Sequence, residues 1–167
     1  TKKRSAHDIS AIVEGRAGSI EGFSGRNSLG LQVTGLNRDF DELSSLFWEI
    51  LTEPSFPTDE VQHTRRVTED SIRSIEDSSG QLCSKLFLET LYERHPYRRF
   101  SYGNLDTLAR INTDAIKRAH GRWIKPDGLV LGISGPISKE RFLARFEKQM
   151  GSWRGDPQKP NVDPKIL

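Results

Sequence analysis

The sequence has little of three features that would each mark a distinct class of protein. It contains one cysteine, Cys83, so no internal disulfide can form. It has no apolar run of membrane-spanning length. Its formal net charge is +2, which by itself is too small to indicate binding to nucleic acid or to a membrane surface. With 167 residues, of which 34% are hydrophobic and 29% charged, the chain is typical of one globular domain with a real core.

The beginning of the chain also lacks the features of a secretory signal. Its basic start has no apolar segment behind it, and Ser5 with Asp8 forms a capping-box pattern that begins a helix at once. We therefore expect a fragment: a domain over residues 1–153 without its N-terminal strands. The three prolines of residues 154–167 are typical of an interdomain linker.

The apolar periodicity predicts helices and strands in grouped order. A first helix begins after Ser5, and two runs with period-two alternation, 18–25 and 27–36, predict paired strands around a turn. The helices that follow are expected over 37–51 with a cap at Asn37, 58–76 capped by Thr58, 79–93, 105–111, 113–123 capped by Thr113, and after Ser138. The apolar run 127–135 predicts a buried strand. This order predicts an α+β two-layer sandwich with a mainly antiparallel sheet packed against helices.

Several short motifs occur along nearly the whole chain in a fixed order. They are Thr1-Lys2-Lys3-Arg4, the glycine-bearing strand 18–24, Pro54-Ser55-Phe56 before an acidic helix start, His95-Pro96-Tyr97, the strand 126–135 and Gly151-Ser152-Trp153. No single motif is specific, but together they resemble the insulinase/pitrilysin family of zinc metallopeptidases, which includes the mitochondrial processing peptidases. The resemblance implies the processing-peptidase-like metallohydrolase fold.

The resemblance also shows what this chain does not contain. The family's catalytic motif is H-x-x-E-H, and none of the four histidines, at positions 7, 63, 95 and 120, belongs to such a motif. The family's third zinc ligand is a Glu on the helix that resembles 59–76, and Ser71 occupies that position. Thr64 occupies the position of an auxiliary acid two turns earlier. A neutral hydroxyl is a poor zinc ligand. We therefore predict no catalytic residue and no metal site in this chain, and expect zinc in a catalytic domain of the parent protein.

The first strand is the remaining candidate site. In the family the corresponding strand is a sheet edge along which the peptide substrate lies, which is β-augmentation. The residues carried over are Ser19, Glu21, Gly22, Phe23 and Ser24. Gly22 replaces the family's usual Ala and still permits close backbone approach. Helices are expected to cover the face of the strand that contains the Ile20 side chain. The opposite face, which contains Phe23, is then left partly exposed.

Other chemically suggestive residues favour plain structural interpretations. His63 with Asp59 or Glu60 has the spacing of a metal pair, but two weak ligands on a charged helix are usually solvated. His95 is expected to form a structural hydrogen bond, and Cys83 to be a buried small side chain. The segment 92–102 interleaves arginines with aromatic residues, and without a recognisable motif it predicts a packed loop and no nucleic-acid partner.

Three hypotheses for function remain. The first, which we favour, is an inactive peptidase-like domain of a larger zinc metalloprotease, walling the substrate chamber and contacting extended peptide. The second is a truncated catalytic zinc metalloendopeptidase domain, and the third is a non-proteolytic structural core subunit of the same fold. The first implies sister peptidase-like domains of the same parent, a homodimer mate or peptide substrate as partners, and neither nucleic acid nor membrane. The cellular compartment stays undetermined.

Overall fold

A computed structural model describes residues 1–151 and Trp153. The expected linker over 154–167 lies outside the described residues. The elements, in chain order, are α1 (Ala6–Glu14), β1 (Ser19–Ser24), β2 (Leu29–Thr34), α2 (Phe40–Thr52), α3 (Thr58–Ser74), α4 (Ser79–Leu91), α5 (Leu105–Ala109), α6 (Thr113–Trp123) and α7 (Lys139–Met150). Short 3₁₀ turns occupy Asn37–Asp39 and Pro96–Arg98. This mixture of helices with a small antiparallel sheet confirms the α+β prediction. No helix among the described residues is long and apolar enough to cross a membrane.

The chain divides into two compact units. The first contains residues 1–55 and the described residues from 119 onward, and the second contains residues 56–118. The first unit therefore holds α1, the β1–β2 hairpin, α2 and α7, and the second holds α3, α4, α5 and most of α6.

The core of the first unit forms where one helix and the hairpin meet α2. Val13, Leu43 and Leu46 are buried there, each less than 5% exposed. Leu43, Leu46 and Ile50 follow helical spacing on α2, so they project from one face. Half-buried apolar residues from α1, the hairpin and α2 complete the cluster: Ile9, Ile12, Ile20, Val33 and Ile50. The alternation noted in both strands therefore serves to bury one face of the hairpin.

Polar contacts fasten the beginning of the chain to α2. The Thr1 hydroxyl donates to the Glu49 carboxylate and accepts the backbone N–H groups of Lys3, at 3.2 Å, and Arg4, at 3.0 Å. The Arg4 guanidinium pairs with the same carboxylate, whose side chain is only 10% exposed. The T-x-x-R motif therefore has a structural role: both of its side chains satisfy one nearly buried acid. We call these three residues the Glu49 clasp.

Two arginines of α7 make a second set of polar contacts with α2. Arg141 pairs with Asp41 at 2.9 Å, and Arg145 donates to the Ser44 hydroxyl at 3.1 Å, to the Ser45 hydroxyl and to the backbone carbonyl of Asp41. Trp48 of α2 is buried against Phe146 of α7, with ring centroids 5.7 Å apart, and against Trp153 at 6.1 Å. Apolar and polar contacts thus act together to hold α7 on α2.

The second unit is a group of helices with few buried side chains. Its buried hydrophobic residues are Ile75, which follows α3, and Leu108 of α5. The Thr113 hydroxyl donates to the Thr58 hydroxyl at 3.3 Å, which joins the first turns of α6 and α3. Many of its large apolar side chains are more than 39% exposed: Val67, Leu86, Phe87, Leu91, Tyr102, Leu105 and Ile111. Two of these, Phe87 and Leu91, are four residues apart and form one stripe of α4.

The structure corrects the expected strand over 127–135. These residues form neither a strand nor a buried segment: Val130 is 89% exposed and Ile133 is 46% exposed. A strand needs a ladder partner, and β1 and β2 pair with each other. The alternation in the sequence corresponds to a partial difference in burial, since Leu129 and Leu131 are half-buried and Val130 between them is exposed.

Several smaller predictions are also wrong. Asn37 lies inside a 3₁₀ turn, and Pro57 precedes α3, so Thr58 is its first residue and not its cap. Asn112, one residue before Thr113, accepts the Ala115 N–H at 2.9 Å. The apolar periodicity also predicts that Val67 of α3 and Trp123 of α6 face inward, whereas their side chains are 51% and 65% exposed. The side chains that do cap their helices as expected are Ser5 and Ser138.

Candidate functional site

The candidate peptide-binding edge is the outer side of β1. β1 pairs antiparallel with β2 in a register that joins Ile20 to Val33 and Phe23 to Gly30, and no other strand among the described residues pairs with either. The hairpin closes with a bond from the Gly25 N–H to the Ser28 carbonyl at 2.7 Å. Hydrogen-bonded and non-hydrogen-bonded pairs alternate along an antiparallel ladder. Counting back from that bond, the backbone groups of residues 20, 22 and 24 point away from β2.

This register adds one residue to the sequence-based prediction. Ser19, Glu21, Gly22, Phe23 and Ser24 were named as the edge strand, whereas the backbone of Ile20 also belongs to the outward set. The side chain of Ile20 packs against the core of the first unit, so its main chain and side chain have separate roles. The sequence alone does not specify how the turn closes. That geometry was needed to decide which alternate residues of β1 point their backbone groups away from β2.

Gly22 is the central residue of this outward set. A Cβ added to it would meet nothing closer than the Gly30 carbonyl oxygen at 3.9 Å. The position is therefore open, and the absent side chain leaves the backbone accessible to an approaching extended chain. Ser19, Glu21, Gly22, Phe23 and Ser24 are all exposed. The edge is accessible along its length in this chain.

Phe23 is 52% exposed, in agreement with the expectation that it lies on the uncovered face. Its ring covers the opposite glycine: a Cβ added to Gly30 would lie 2.6 Å from Phe23 Cζ. An aromatic ring over a cross-strand glycine shields the backbone and adds packing that glycine cannot supply. Phe23 therefore stabilises the hairpin locally and still presents an apolar surface.

Helix α3 carries the two positions at which the family resemblance places acidic residues. Ser71 is half-buried, and its hydroxyl donates to the Val67 carbonyl one turn earlier at 2.9 Å. Thr64 is exposed. The two residues are seven apart, so they lie on one side of the helix, as the motif requires. The nearby Glu69 is paired with Arg73 at 2.6 Å and does not replace either acid.

These residues do not fit a zinc ion. A tetrahedral protein site needs three or four nitrogen, sulfur or carboxylate ligands converging on one point. The described residues hold no group of three or more His, Cys, Asp or Glu side chains that could bind a metal. The Ser71 hydroxyl is neutral and is used within its own helix.

The second unit contains a cleft on another side of α3. It has a volume of about 370 Å³ and is lined by Thr58, Val61, Gln62, Arg65, Ile111, Asn112, Thr113, Asp114 and Lys117. From helix geometry, this lining face of α3 lies well over a quarter turn from the face of Thr64 and Ser71. The cleft and the degenerate ligand positions are therefore separate features.

The remaining residues singled out by sequence take mostly structural roles. His95 Nδ1 accepts the Tyr97 N–H at 3.1 Å, as expected, and its ring packs against the rings of Tyr92 and Tyr97. Arg94, Arg98 and Arg99 are exposed around these packed rings, also as expected. His7 and His63 are exposed. Cys83 is exposed as well, so the prediction of a buried thiol is wrong.

The family model for Insulinase (Peptidase family M16) matches residues 1–103, which is more than half of the chain. The chain belongs to the insulinase family. The matched range contains the Glu49 clasp, the β1–β2 hairpin and all of α3.

Curated relatives are consistent with this family assignment. An uncharacterized zinc protease of Streptomyces coelicolor is 25% identical over 152 residues, covering 89% of this chain and 33% of the relative. An uncharacterized zinc protease of Bacillus subtilis is 22% identical, covering 92% of this chain and 37% of the relative. The chain therefore spans about a third of the length of these relatives.

Solved structures of similar fold include two bacterial proteins. A peptidase M16 inactive domain from Pseudomonas fluorescens has a TM-score of 0.86 at 18% identity, with 97% of this chain and 40% of that chain covered. A protease from Helicobacter pylori has a TM-score of 0.83 at 20% identity, with 98% and 40% covered. At these identities the similarity establishes the fold alone. Within the insulinase family, this chain is a partial peptidase-like domain.

Proposed function

We propose that this chain is a non-catalytic peptidase-like domain of a longer zinc metallopeptidase. In this role it walls the substrate chamber and offers the outer edge of β1 to extended peptide. The observation that carries the proposal is Ser71: the ligand position of α3 holds a hydroxyl bonded to the Val67 carbonyl, and the whole sequence has no H-x-x-E-H motif. A family scaffold without its ligands is suited to shaping a chamber and not to hydrolysis.

The comparisons support this proposal in two ways. Curated relatives named as zinc proteases are about three times longer than the matched region, which leaves room for a separate catalytic domain with its own zinc. The Pseudomonas fluorescens structure of similar fold is described as an inactive domain. Under this proposal the other chamber walls come from sister peptidase-like domains of the same polypeptide or from a second copy.

Two alternatives make different demands on the same residues. A truncated catalytic domain would need its third zinc ligand on α3, and Ser71 together with Thr64 argues against it. A structural core subunit without proteolytic function would have no use for an accessible strand edge. Peptide binding along β1 therefore separates a chamber wall from a purely structural subunit.

The first experiment tests for catalysis. We expect the purified chain to hold less than stoichiometric zinc by metal analysis and to leave an unstructured fluorogenic peptide uncleaved. The variant Ser71→Glu should not gain activity, because one carboxylate has no histidine pair and no general base to work with. One tightly held zinc per chain, or zinc-dependent cleavage by the Ser71→Glu variant, would contradict the proposal.

The second experiment tests the edge of β1. An unstructured peptide should slow amide exchange at Ile20, Gly22 and Ser24, because their backbone groups face outward. Phe23→Asp should weaken this binding several-fold while leaving the chain folded, since the side chain is already 52% exposed. Tyr102→Asp is the matched control, because that aromatic is 51% exposed and lies away from β1 in sequence. Unfolding of the Phe23→Asp variant, or equal weakening by the control, would contradict an exposed binding edge.

A further inference from the structure

The cleft between α3 and the beginning of α6 lies within the second unit and is lined by two cationic side chains. Arg65 belongs to α3 and Lys117 to α6. Neither forms an ion pair with any other residue that the structure describes. Glu69, four residues after Arg65 along the same face of α3, pairs instead with Arg73 at 2.6 Å. Two positive charges therefore line the cleft without a paired acid.

An acid in the lining limits the charge of a ligand that the cleft can hold. Asp114 lies in the first turn of α6, three residues before Lys117. Two cations and one carboxylate give the lining a net charge of +1. A singly charged anion balances this charge, whereas a phosphate group carries about −1.5 to −2 charges at pH 7 and would be repelled by Asp114. The lining therefore favours a carboxylate over a phosphate.

The uncharged part of the lining combines apolar side chains with amides. Val61 and Ile111 supply the apolar surface, and Gln62 supplies one amide. Asn112 supplies another, and because its Oδ1 accepts the Ala115 N–H at 2.9 Å, its NH₂ group is left to donate. The volume of about 370 Å³ falls in the range of about 300–1,000 Å³ that is typical of small-ligand sites. The cleft therefore has space and binding groups for a ligand larger than an inorganic anion.

We propose that this cleft binds the free C-terminal carboxylate of a peptide whose last side chain is apolar. Arg65 and Lys117 bind the carboxylate, because hydrogen bonds between charged groups are stronger than neutral ones. Val61 and Ile111 contact the terminal side chain, and the amides of the lining bind the peptide backbone. The cleft belongs to a different unit from the edge of β1, and the proposal does not depend on the proposed function.

NMR titration of the 167-residue chain with the peptide acetyl-Ala-Ala-Leu, which has a free carboxylate, tests the proposal. The backbone amides of Gln62, Arg65 and Lys117 should shift and saturate. The same peptide with an amidated C-terminus should bind at least about tenfold more weakly, because it lacks the charge. Equal binding of the amidated peptide would overturn the proposal. So would shifts confined to the edge of β1, which would leave the proposed function intact.

Two further ligands separate a peptide terminus from simpler anions. Acetyl-leucine has the carboxylate and the apolar side chain but lacks the preceding residues, so it should bind more weakly than the peptide. Equal affinity would identify a small carboxylic acid as the ligand and would overturn the peptide proposal. Inorganic phosphate should not displace the peptide at equal concentration. Displacement by phosphate would show that the cleft selects charge alone, which also contradicts the proposal.

Substitutions separate the cleft from the general charge of the chain. Arg65→Gln and Lys117→Gln should each weaken peptide binding by about tenfold or more. Arg66→Gln is the matched control, because it removes the same charge from an exposed arginine that does not line the cleft, and it should leave the affinity nearly unchanged. Lys117 is exposed, so its variant stays folded and decides the test if Arg65→Gln disturbs α3. Equal losses in the Lys117→Gln and Arg66→Gln variants would overturn the proposal.

Discussion

The two units of this chain bury their apolar side chains to different extents. In the first unit, Val13, Leu43 and Leu46 form a closed cluster, and Trp48 and Leu51 are also buried. In the second, Ile75 and Leu108 are buried, while a stripe of α4 remains more than half exposed. The first unit also has ion pairs and hydrogen bonds that join segments distant in sequence, namely the Glu49 clasp and the contacts of the α7 arginines with α2. The first unit therefore has a closed apolar core, whereas the second leaves much of its apolar surface exposed.

The difference has a functional meaning under the proposed role. A domain that walls a chamber needs one rigid part to hold its shape and one part whose surface can be covered by neighbours. Contiguous exposed apolar surface usually marks an interaction site. If burial determines stability here, substitutions in the first unit should lower the free energy of unfolding more than matched substitutions in the second.

The largest expected difference comes from truncating one leucine in each unit. Leu46→Ala should lower the free energy of unfolding by about 2–5 kcal/mol, because the side chain is 3% exposed and its removal leaves a cavity. Leu86→Ala, at a side chain 53% exposed, should change it by no more than about 0.5 kcal/mol. Urea unfolding of both variants gives the comparison. Equal losses would mean that α4 is part of a cooperative core after all.

A smaller difference is expected between two ion pairs. Arg4→Ala leaves the nearly buried Glu49 without its cation, and we expect a loss of about 1–3 kcal/mol, below the value for a fully buried pair because Arg4 is 40% exposed. Arg73→Ala removes an exposed i,i+4 pair with Glu69 and should cost about 0.3–0.5 kcal/mol. Double-mutant cycles with Glu49→Gln and Glu69→Gln isolate each coupling energy. If the Arg73–Glu69 coupling energy equalled the Arg4–Glu49 coupling energy, the two ion pairs would not differ in their contribution to stability.

Two glycines should respond to alanine with opposite signs. At Gly18 a Cβ would lie 2.8 Å from the Thr34 carbonyl oxygen, and this backbone clash should destabilise by about 1–3 kcal/mol. At Gly80, within α4, a Cβ meets nothing within 4 Å, so alanine should stabilise by about 0.4–1 kcal/mol. Thermal unfolding of the two variants measures both effects. A destabilising Gly80→Ala would show that the second unit is packed more tightly than its burial indicates.

The smallest effect concerns how helices begin in the two units. Ser5 caps α1 and donates to Asp8 at 2.7 Å, and this hydrogen bond is the main cause that holds the pKa of Asp8 below its ordinary value of 3.8. A lowered pKa contributes stability above the unfolded value, and that contribution is lost as the pH falls through the folded pKa. Helix α3 begins at Thr58, and its N-cap residue Pro57 makes no side-chain capping hydrogen bond, so α3 has no such acid-sensitive contact at its cap.

Carboxyl titration by NMR measures this effect directly. In Ser5→Ala the pKa of Asp8 should rise toward 3.8, and Ser5→Thr should restore most of the lowering because threonine also caps helices. An unchanged Asp8 titration in the alanine variant would show that the Ser5 hydroxyl is not the main cause of the lowered pKa of Asp8.

Local features of the fold could be predicted from sequence, whereas pairing and burial could not. The caps at Ser5 and Ser138 and the hairpin around Gly25 depend on neighbouring residues, so their patterns were sufficient. The run 129–134 has a strand pattern, but a ladder needs a distant partner that periodicity does not identify. Cys83 was placed inside on residue type and Trp123 on helical spacing, although the exposure of each side chain depends on which face its helix turns outward.

In the candidate site, too, some features could be predicted from sequence and others required the structure. The positions of Ser71 and Thr64 came from the resemblance to the insulinase family, and the structure adds that the Ser71 hydroxyl donates to a carbonyl of its own helix. The outward backbone parity of β1 required the Gly25–Ser28 closing bond. The sequence therefore indicated that the acidic zinc ligands are absent from α3. The strand register indicated which backbone groups of β1 point outward and are available to an extended peptide.

The aromatic packing around Trp48 has a practical consequence for spectroscopy. All three tryptophans, at positions 48, 123 and 153, belong to the first unit, and all three tyrosines, at positions 92, 97 and 102, belong to the second. Selective excitation of tryptophan, at wavelengths where tyrosine does not absorb, therefore reports on the first unit alone. Without any label, the chain carries an optical signal for one half to which the other half does not contribute.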